Sequence, residues 1–261
     1  MVRESGAEMR GGRGHVDSIA ALFDRMDEWR HLPKYQLERR SDLFFSLYLP
    51  EVLEARFGFP VNHRVVPEFP VRKATIRPHV RGDDCCNIDY LALSATGSES
   101  VFVELKTDQA SRRVQQDDYL LKAQQVGLPA LLEGICSIFR ATTKPYRLKW
   151  FALMLHLEGM GLLQIPSELQ EIMARPNHRG APVASKDMVI TAPTATPHIV
   201  YVQPQAAGDG DGDVTVISFQ EHAEVVARHS DTVSQRFAEP LLEWAEVPAG
   251  GRAGSPCSTI F

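Results

Sequence analysis

The sequence predicts a mixed α/β fold, a central sheet flanked by helices, on three observations. Apolar residues recur at helical spacing near the N-terminus and again after residue 109. Between them, from His63 to Lys106, the pattern changes to short apolar and β-branched runs bounded by turn residues, as in strands. Beyond Glu158 helical and strand-like segments alternate again, without an internal repeat.

Taken in order, Ile19, Leu22, Phe23, Met26 and Trp29 behind Asp17 and Ser18 predict a helix over 18–30. A second helical region spans Leu37 to Phe57, and Pro50 within it predicts a fresh helix starting at Glu51. Extended segments are expected over 63–69, 71–76, 87–93 and 100–106, the last two joined through Ala95-Thr96-Gly97-Ser98. A helix over 109–125 stops at Gly127, and another runs from Pro129 to Arg140. Arg147 to Leu157 reads as a further strand, with His156 as a satisfied core residue. There follow a helix over 167–174, strands near Met188 and Val200, a solvated Gly-Asp turn at 208–213, a strand over 214–219 and closing helices to Trp244. The expected organisation is a flexible tail at 1–16, a core at 17–158, a C-terminal α/β extension packing on it at 159–247, and a flexible tail at 248–261.

Composition narrows the function classes. With 261 residues, 44% hydrophobic and 23% charged, the chain can bury one large core. No apolar run approaches the roughly 20 residues that span a bilayer. The N-terminal residues hold charge and glycine without the apolar segment of a signal peptide, so a cytoplasmic protein is expected. Cys85, Cys86, Cys136 and Cys257 have neither C-x-x-C nor zinc-site spacing, and the neighbours Cys85 and Cys86 read as ordinary reduced residues. The net charge of −5 does not decide on nucleic acid, because local patches do. From Phe69 to Gly82 stand Arg72, Lys73, Arg77 and Arg81 without one acidic residue, and Arg112, Arg113 and Lys122 form a second basic group. Both are candidate contacts to a nucleic-acid backbone.

The chemistry concentrates at Val101–Lys106, where Glu104 and Lys106 close an apolar strand. Alternation puts Phe102, Glu104 and Lys106 on one face. A hairpin centred between Thr96 and Gly97 pairs residues whose numbers sum to 193, which sets Asp89 opposite Glu104. Opposed carboxylates repel, so a positive group belongs between them. Two carboxylates on neighbouring strands suit Mg²⁺, with the Leu105 carbonyl as a further oxygen. Lys106 can then orient or help deprotonate a metal-bound water, and can also stabilise charge on a phosphate.

Asp89 followed by Glu104-Leu105-Lys106 resembles the bipartite signature of the PD-(D/E)XK nuclease superfamily, with Ile88 where that signature has proline. Gln115 and Tyr119, one turn apart, are similar to the Q-x-x-x-Y motif of its RecB-like branch. The resemblance implies a restriction-endonuclease-like fold and a metal-dependent deoxyribonuclease acting in repair or defence. Its catalytic residues would be Asp89, Glu104, Lys106, Gln115 and Tyr119. Mg²⁺, replaceable by Mn²⁺, would be held by Asp89, Glu104 and the Leu105 carbonyl. The resemblance also implies an acidic residue from the first core helix, for which Glu51 is preferred over Glu54. Two other readings stay open: a catalytically inactive protein of this fold that binds nucleic acid or a protein partner, and an unrelated α/β protein whose Glu104 and Lys106 form an exposed salt bridge on an edge strand.

Overall fold

In the computed structural model of the chain, residues 18–30, 32, 36–107, 114–142, 146–175, 188–206 and 214–246 are described. The expected tails, Arg112 and the Gly-Asp turn at 208–213 lie outside them. At the centre, β2 (Cys85–Leu93) and β3 (Ser100–Leu105) form the expected antiparallel hairpin. Tyr90 pairs with Val103, Leu91 with Phe102 and Leu93 with Ser100, so every pair sums to 193. The turn between them is closed by the Ser94 amide donating to the Glu99 carbonyl, with Gly97 at a φ of 72°.

β1 (Val66–Arg72) pairs antiparallel with β2 and forms one edge of the sheet. Pro67 and Pro70 are tolerated there, since an edge strand can leave ladder positions without a donor. The chain then turns into a single helical turn, α3 (Lys73–Ile76), where a strand over 71–76 was expected. On the other side of β3 lie β6 (His198–Gln203) and β7 (Thr215–Ser218), both parallel to their neighbours, completing a five-stranded mixed sheet in the order β1-β2-β3-β6-β7. Residues beyond 159, expected as an extension on the core, thus supply two strands of the central sheet. A separate two-stranded piece joins β4 (Leu163–Gln164) to β5 (Val189–Ile190).

Helices cover both faces. On one, α4 (Val114–Ala141), α5 (Arg147–Gly159) and α6 (Ser167–Ala174) enclose a core with Leu91, Phe102, Ile199 and Tyr201 from the sheet. α4 is two helical segments meeting at Gly127, whose φ of 78° and ψ of 159° break the helix just before Pro129. On the other face, α1 (Ser18–Trp29), α2 (Leu37–Phe57), α7 (Phe219–Val226) and α8 (Thr232–Glu246) pack over Tyr90, Val101, Val103, Leu105, Val200 and Val202. Among the described residues no helix is long and apolar enough to cross a membrane.

Two further expectations are corrected. α2 runs unbroken through Pro50, which is buried in it. Proline removes only the bond to the Ser46 carbonyl, and Ser46 is partly open to water that can satisfy it. Arg147–Leu157 is helix, not strand. It contains no β-branched residue, and its buried Phe151, Met154 and Leu157 recur every three residues. His156 has a protein partner, the Val65 carbonyl at 3.0 Å from Nε2.

The second core contains an acid-sensitive group. His222 of α7 is fully buried, with Phe45 and Phe237 edge-on to its ring at 5.0 and 6.1 Å. Burial pushes its pKa down to about 3, whereas the unfolded chain takes up the proton near 6.5. Its full contribution to stability is therefore present above about pH 6.5 and is lost as pH falls from there towards 3, by about 1.4 kcal/mol per pH unit. Wild type should lose about 2 kcal/mol more than His222→Leu between pH 7 and pH 5, read by urea denaturation at each pH. The difference between the two proteins separates this group from carboxyls titrating over the same range. Parallel slopes would show that His222 is not the acid-sensitive group.

Candidate active site

The hairpin register carries Asp89, Glu104 and Lys106 to one place at the carboxyl end of β3. The Leu105 amide donates to Asp89 Oδ2 at 2.7 Å, continuing the β2–β3 contact one step past the ladder. Lys106 Nζ lies 3.0 Å from Glu104 Oε2, 2.9 Å from the Leu105 carbonyl and 3.7 Å from Asp89 Oδ2. Glu104 is fully buried and Lys106 is 3% exposed. The reading of this pair as an exposed salt bridge on an edge strand is therefore excluded: β3 has a neighbour on each side, and both charges are inside.

The strand is irregular at the aspartate. Ile88 and Leu91 both join the core on the α4 face, so strict alternation fails between them. Opposite this point Glu68 of β1 has a φ of 48°, the sole non-glycine positive φ among the described residues. A left-handed glutamate costs of order 1–3 kcal/mol and is held by its surroundings; here its Oε2 accepts from Asn87 Nδ2 at 2.8 Å.

The start of α4 fixes the glutamate. Tyr119 Oη donates to Glu104 Oε1 at 2.6 Å and also reaches the Asn87 carbonyl at 3.0 Å. Gln116 Nε2 donates to Glu104 Oε2 at 2.5 Å. The side chain of Gln115, the glutamine expected in this role, lies outside the described residues; Gln116, three positions before Tyr119, shares the tyrosine's face equally well. Asp117 accepts from the buried Tyr201 hydroxyl at 2.5 Å, which ties the helix start to β6 where Tyr201 pairs with Glu104.

From the opposite layer the carboxyl that acts on this cluster is Glu38, at the start of α2. It is half-buried, and its charge bears on both Lys106 and Asp89. Glu51 is placed elsewhere, 2.8 Å from His229 Nε2. Thirteen residues separate it from Glu38, about 20 Å along the helix, so the two cannot serve one site. Glu54 is exposed on the same distant half of α2. Sequence reasoning missed Glu38 because position on the helix depends on where α2 crosses the sheet, although its place in the first turn was a usable signal.

Electrostatics follow from burial and crowding. Burial, then the neighbouring Asp89 charge, pushes the Glu104 carboxyl up to about 7 against the pull of Lys106 and Tyr119. Burial likewise raises Asp89, opposed by Lys106 and the Leu105 amide. For Lys106 burial favours the neutral amine, but Glu104, Asp89 and Glu38 together outweigh it and raise its pKa. The lysine is thus held as an ammonium ion, suited to stabilising negative charge and unsuited to accepting a proton.

The oxygens around this ammonium are the donor set of a hard cation: two carboxylates and a carbonyl, with no nitrogen or sulfur. Mg²⁺ or Mn²⁺ fits that chemistry. Among the described residues no three His, Cys, Asp or Glu side chains are grouped to hold a metal by themselves, so the Leu105 carbonyl and water would complete the shell.

The basic residues are less free than their sequence suggests. Arg72 pairs with Asp83 at 2.9 Å, and both Arg77 (2.6 Å) and Lys122 (2.8 Å) converge on Asp118 of α4. Lys73 is half-buried and Arg81 is exposed. Asp83, just past the end of the run, and Asp118, distant in sequence, therefore offset a run that looks purely basic along the chain. No protein-family model, curated protein or solved structure matches this chain.

Proposed function

We propose that the protein is a Mg²⁺-dependent nuclease of the PD-(D/E)XK kind, with a restriction-endonuclease-like fold, that hydrolyses phosphodiester bonds in DNA. One observation carries the reading: Asp89, Glu104, the Leu105 carbonyl and Lys106 converge within hydrogen-bond or ion-pair distance at a buried strand end. The succession of α2, antiparallel β1, β2 and β3, then α4 and a strand parallel to β3, β6, supports it, with α3 between β1 and β2 and α5, α6 and the β4–β5 piece between α4 and β6. A bound Mg²⁺ would polarise the scissile phosphate and activate the attacking water. Asp89, Glu104 and the Leu105 carbonyl would hold it, with Glu38 a further carboxyl whose charge bears on Lys106 and Asp89. Lys106 binds charge developing on the phosphate. Tyr119 and Gln116 orient Glu104, and Asp117 with Tyr201 anchors the helix that presents them.

The test is a cleavage panel of linear, circular and single-stranded DNA and RNA with Mg²⁺, Mn²⁺ or EDTA, run alongside thermal shifts with each metal. Metal-dependent cutting is expected; absence of both cutting and a metal-induced shift would refute catalysis. A second reading, a nuclease-fold protein that binds nucleic acid without cutting, is favoured by the closed ion pair, since Lys106 already satisfies the oxygens a metal would use. Binding without cutting in the same panel selects it.

Arg77 and Lys122, which meet at Asp118 near this helix start, are the backbone contacts in this reading. Replacing each with alanine should weaken DNA binding equally across sequences and lower the slope of log affinity against log salt by about one per residue. Fluorescence anisotropy in EDTA at several salt concentrations measures both, and an unchanged slope would remove these residues from the interface.

A further inference from the structure

We propose that Lys106 is a tethered cation occupying the metal site, so that a divalent ion binds by exchange: Nζ must leave Asp89, Glu104 and the Leu105 carbonyl before the metal can take them. This rests on the metal-site reading above and adds to it the order of events. The lysine side chain is rooted in the residue after β3, and its terminus turns back onto the strand that carries it. There it meets the carbonyl of its own neighbour Leu105 at 2.9 Å and Glu104 Oε2 at 3.0 Å, with Asp89 Oδ2 at 3.7 Å. These are all three protein oxygens assigned to the metal. A divalent ion and an ammonium cannot both sit among them, because like charges a few ångströms apart in a buried place repel strongly.

The exchange has two consequences. Without metal, the ammonium spares the buried carboxylates from facing each other unpaired. With metal, the displaced Nζ is freed at the rim of the site, where a substrate phosphate would arrive. Metal affinity is reduced by the fraction of molecules in which the lysine holds the oxygens, and a variant without the ammonium escapes that reduction.

Isothermal titration of wild type and Lys106→Met with MgCl₂ and with MnCl₂, without nucleic acid, tests the exchange. The variant should bind each metal about ten-fold more tightly, and its midpoint of thermal unfolding should rise more with metal than that of wild type. Equal or weaker binding by the variant overturns the exchange while leaving a metal-dependent nuclease intact. Silence from both proteins overturns the exchange and the metal site together. Should the variant not fold, the wild-type ammonium can be followed directly by ¹⁵N NMR of the lysine side chains during Mg²⁺ titration. The hydrogen-bonded Lys106 signal should disappear as metal binds, and its persistence at saturation overturns the proposal.

Discussion

Asp89→Asn is expected to lower DNA cleavage by about 10³-fold, the scale of losing a principal electrostatic contact in the transition state, while leaving a folded protein. Asparagine keeps an oxygen to accept from the Leu105 amide, so the 2.7 Å bond that anchors the aspartate to β3 can persist. What disappears is one of two charges available to a hard cation, and with it much of the attraction for Mg²⁺. Removing that charge also relieves Glu104, whose carboxyl Asp89 helps to push up to about 7. The metal-induced thermal shift should therefore shrink sharply, whereas the metal-free melting temperature changes little. Cleavage of linear DNA and thermal shifts with Mn²⁺ are the two measurements. A variant that cuts at the wild-type rate would remove Asp89 from the chemistry.

How far the site was legible in sequence depends on how local its determinants are. The hairpin is local: turn residues between Leu93 and Ser100 and the alternation of β3 together fix a register in which Asp89 meets Glu104 and Lys106. The helix that follows was legible as an element, and it brings Tyr119 to Glu104. Gln116, a glutamine the sequence reading did not single out, also reaches Glu104.

Features set by distant parts of the chain were not legible. β6 is the parallel neighbour of β3, yet more than ninety residues separate them, and no local pattern marks it as the strand that follows. Arg147–Leu157 took that place in the reading because a short apolar run fits strand or helix equally; its lack of β-branched residues was the better guide. Glu38 and the meeting of Arg77 with Asp118 become visible only once α2 and α4 have been laid against the sheet, whereas Asp83 borders the basic run and Asp118–Lys122 is an i,i+4 pair. The left-handed Glu68 beside Asp89 has no sequence signal, since glutamate is not a residue that favours that conformation.

The buried pair itself separates a site kept for chemistry from one kept for stability. Glu104→Leu alone strands a nearly inaccessible ammonium and removes the partner of Gln116, and Lys106→Met alone leaves a buried carboxylate facing Asp89. Each should cost about 4 kcal/mol in metal-free buffer, the scale of an uncompensated buried charge. The double variant Glu104→Leu/Lys106→Met removes both charges and places apolar side chains in their stead; Tyr119 retains the Asn87 carbonyl, and Asp89 retains the Leu105 amide. It should recover to within about 1 kcal/mol of wild type, or exceed it, because desolvating two ions offsets most of their mutual attraction. Urea denaturation of the four proteins in EDTA closes the cycle. Recovery of stability without recovery of cleavage would mean that folding does not require these charges, which leaves chemistry as the reason for their burial. If the double variant instead loses the sum of the two single losses, the pair belongs to the architecture, and the nuclease reading loses its main support.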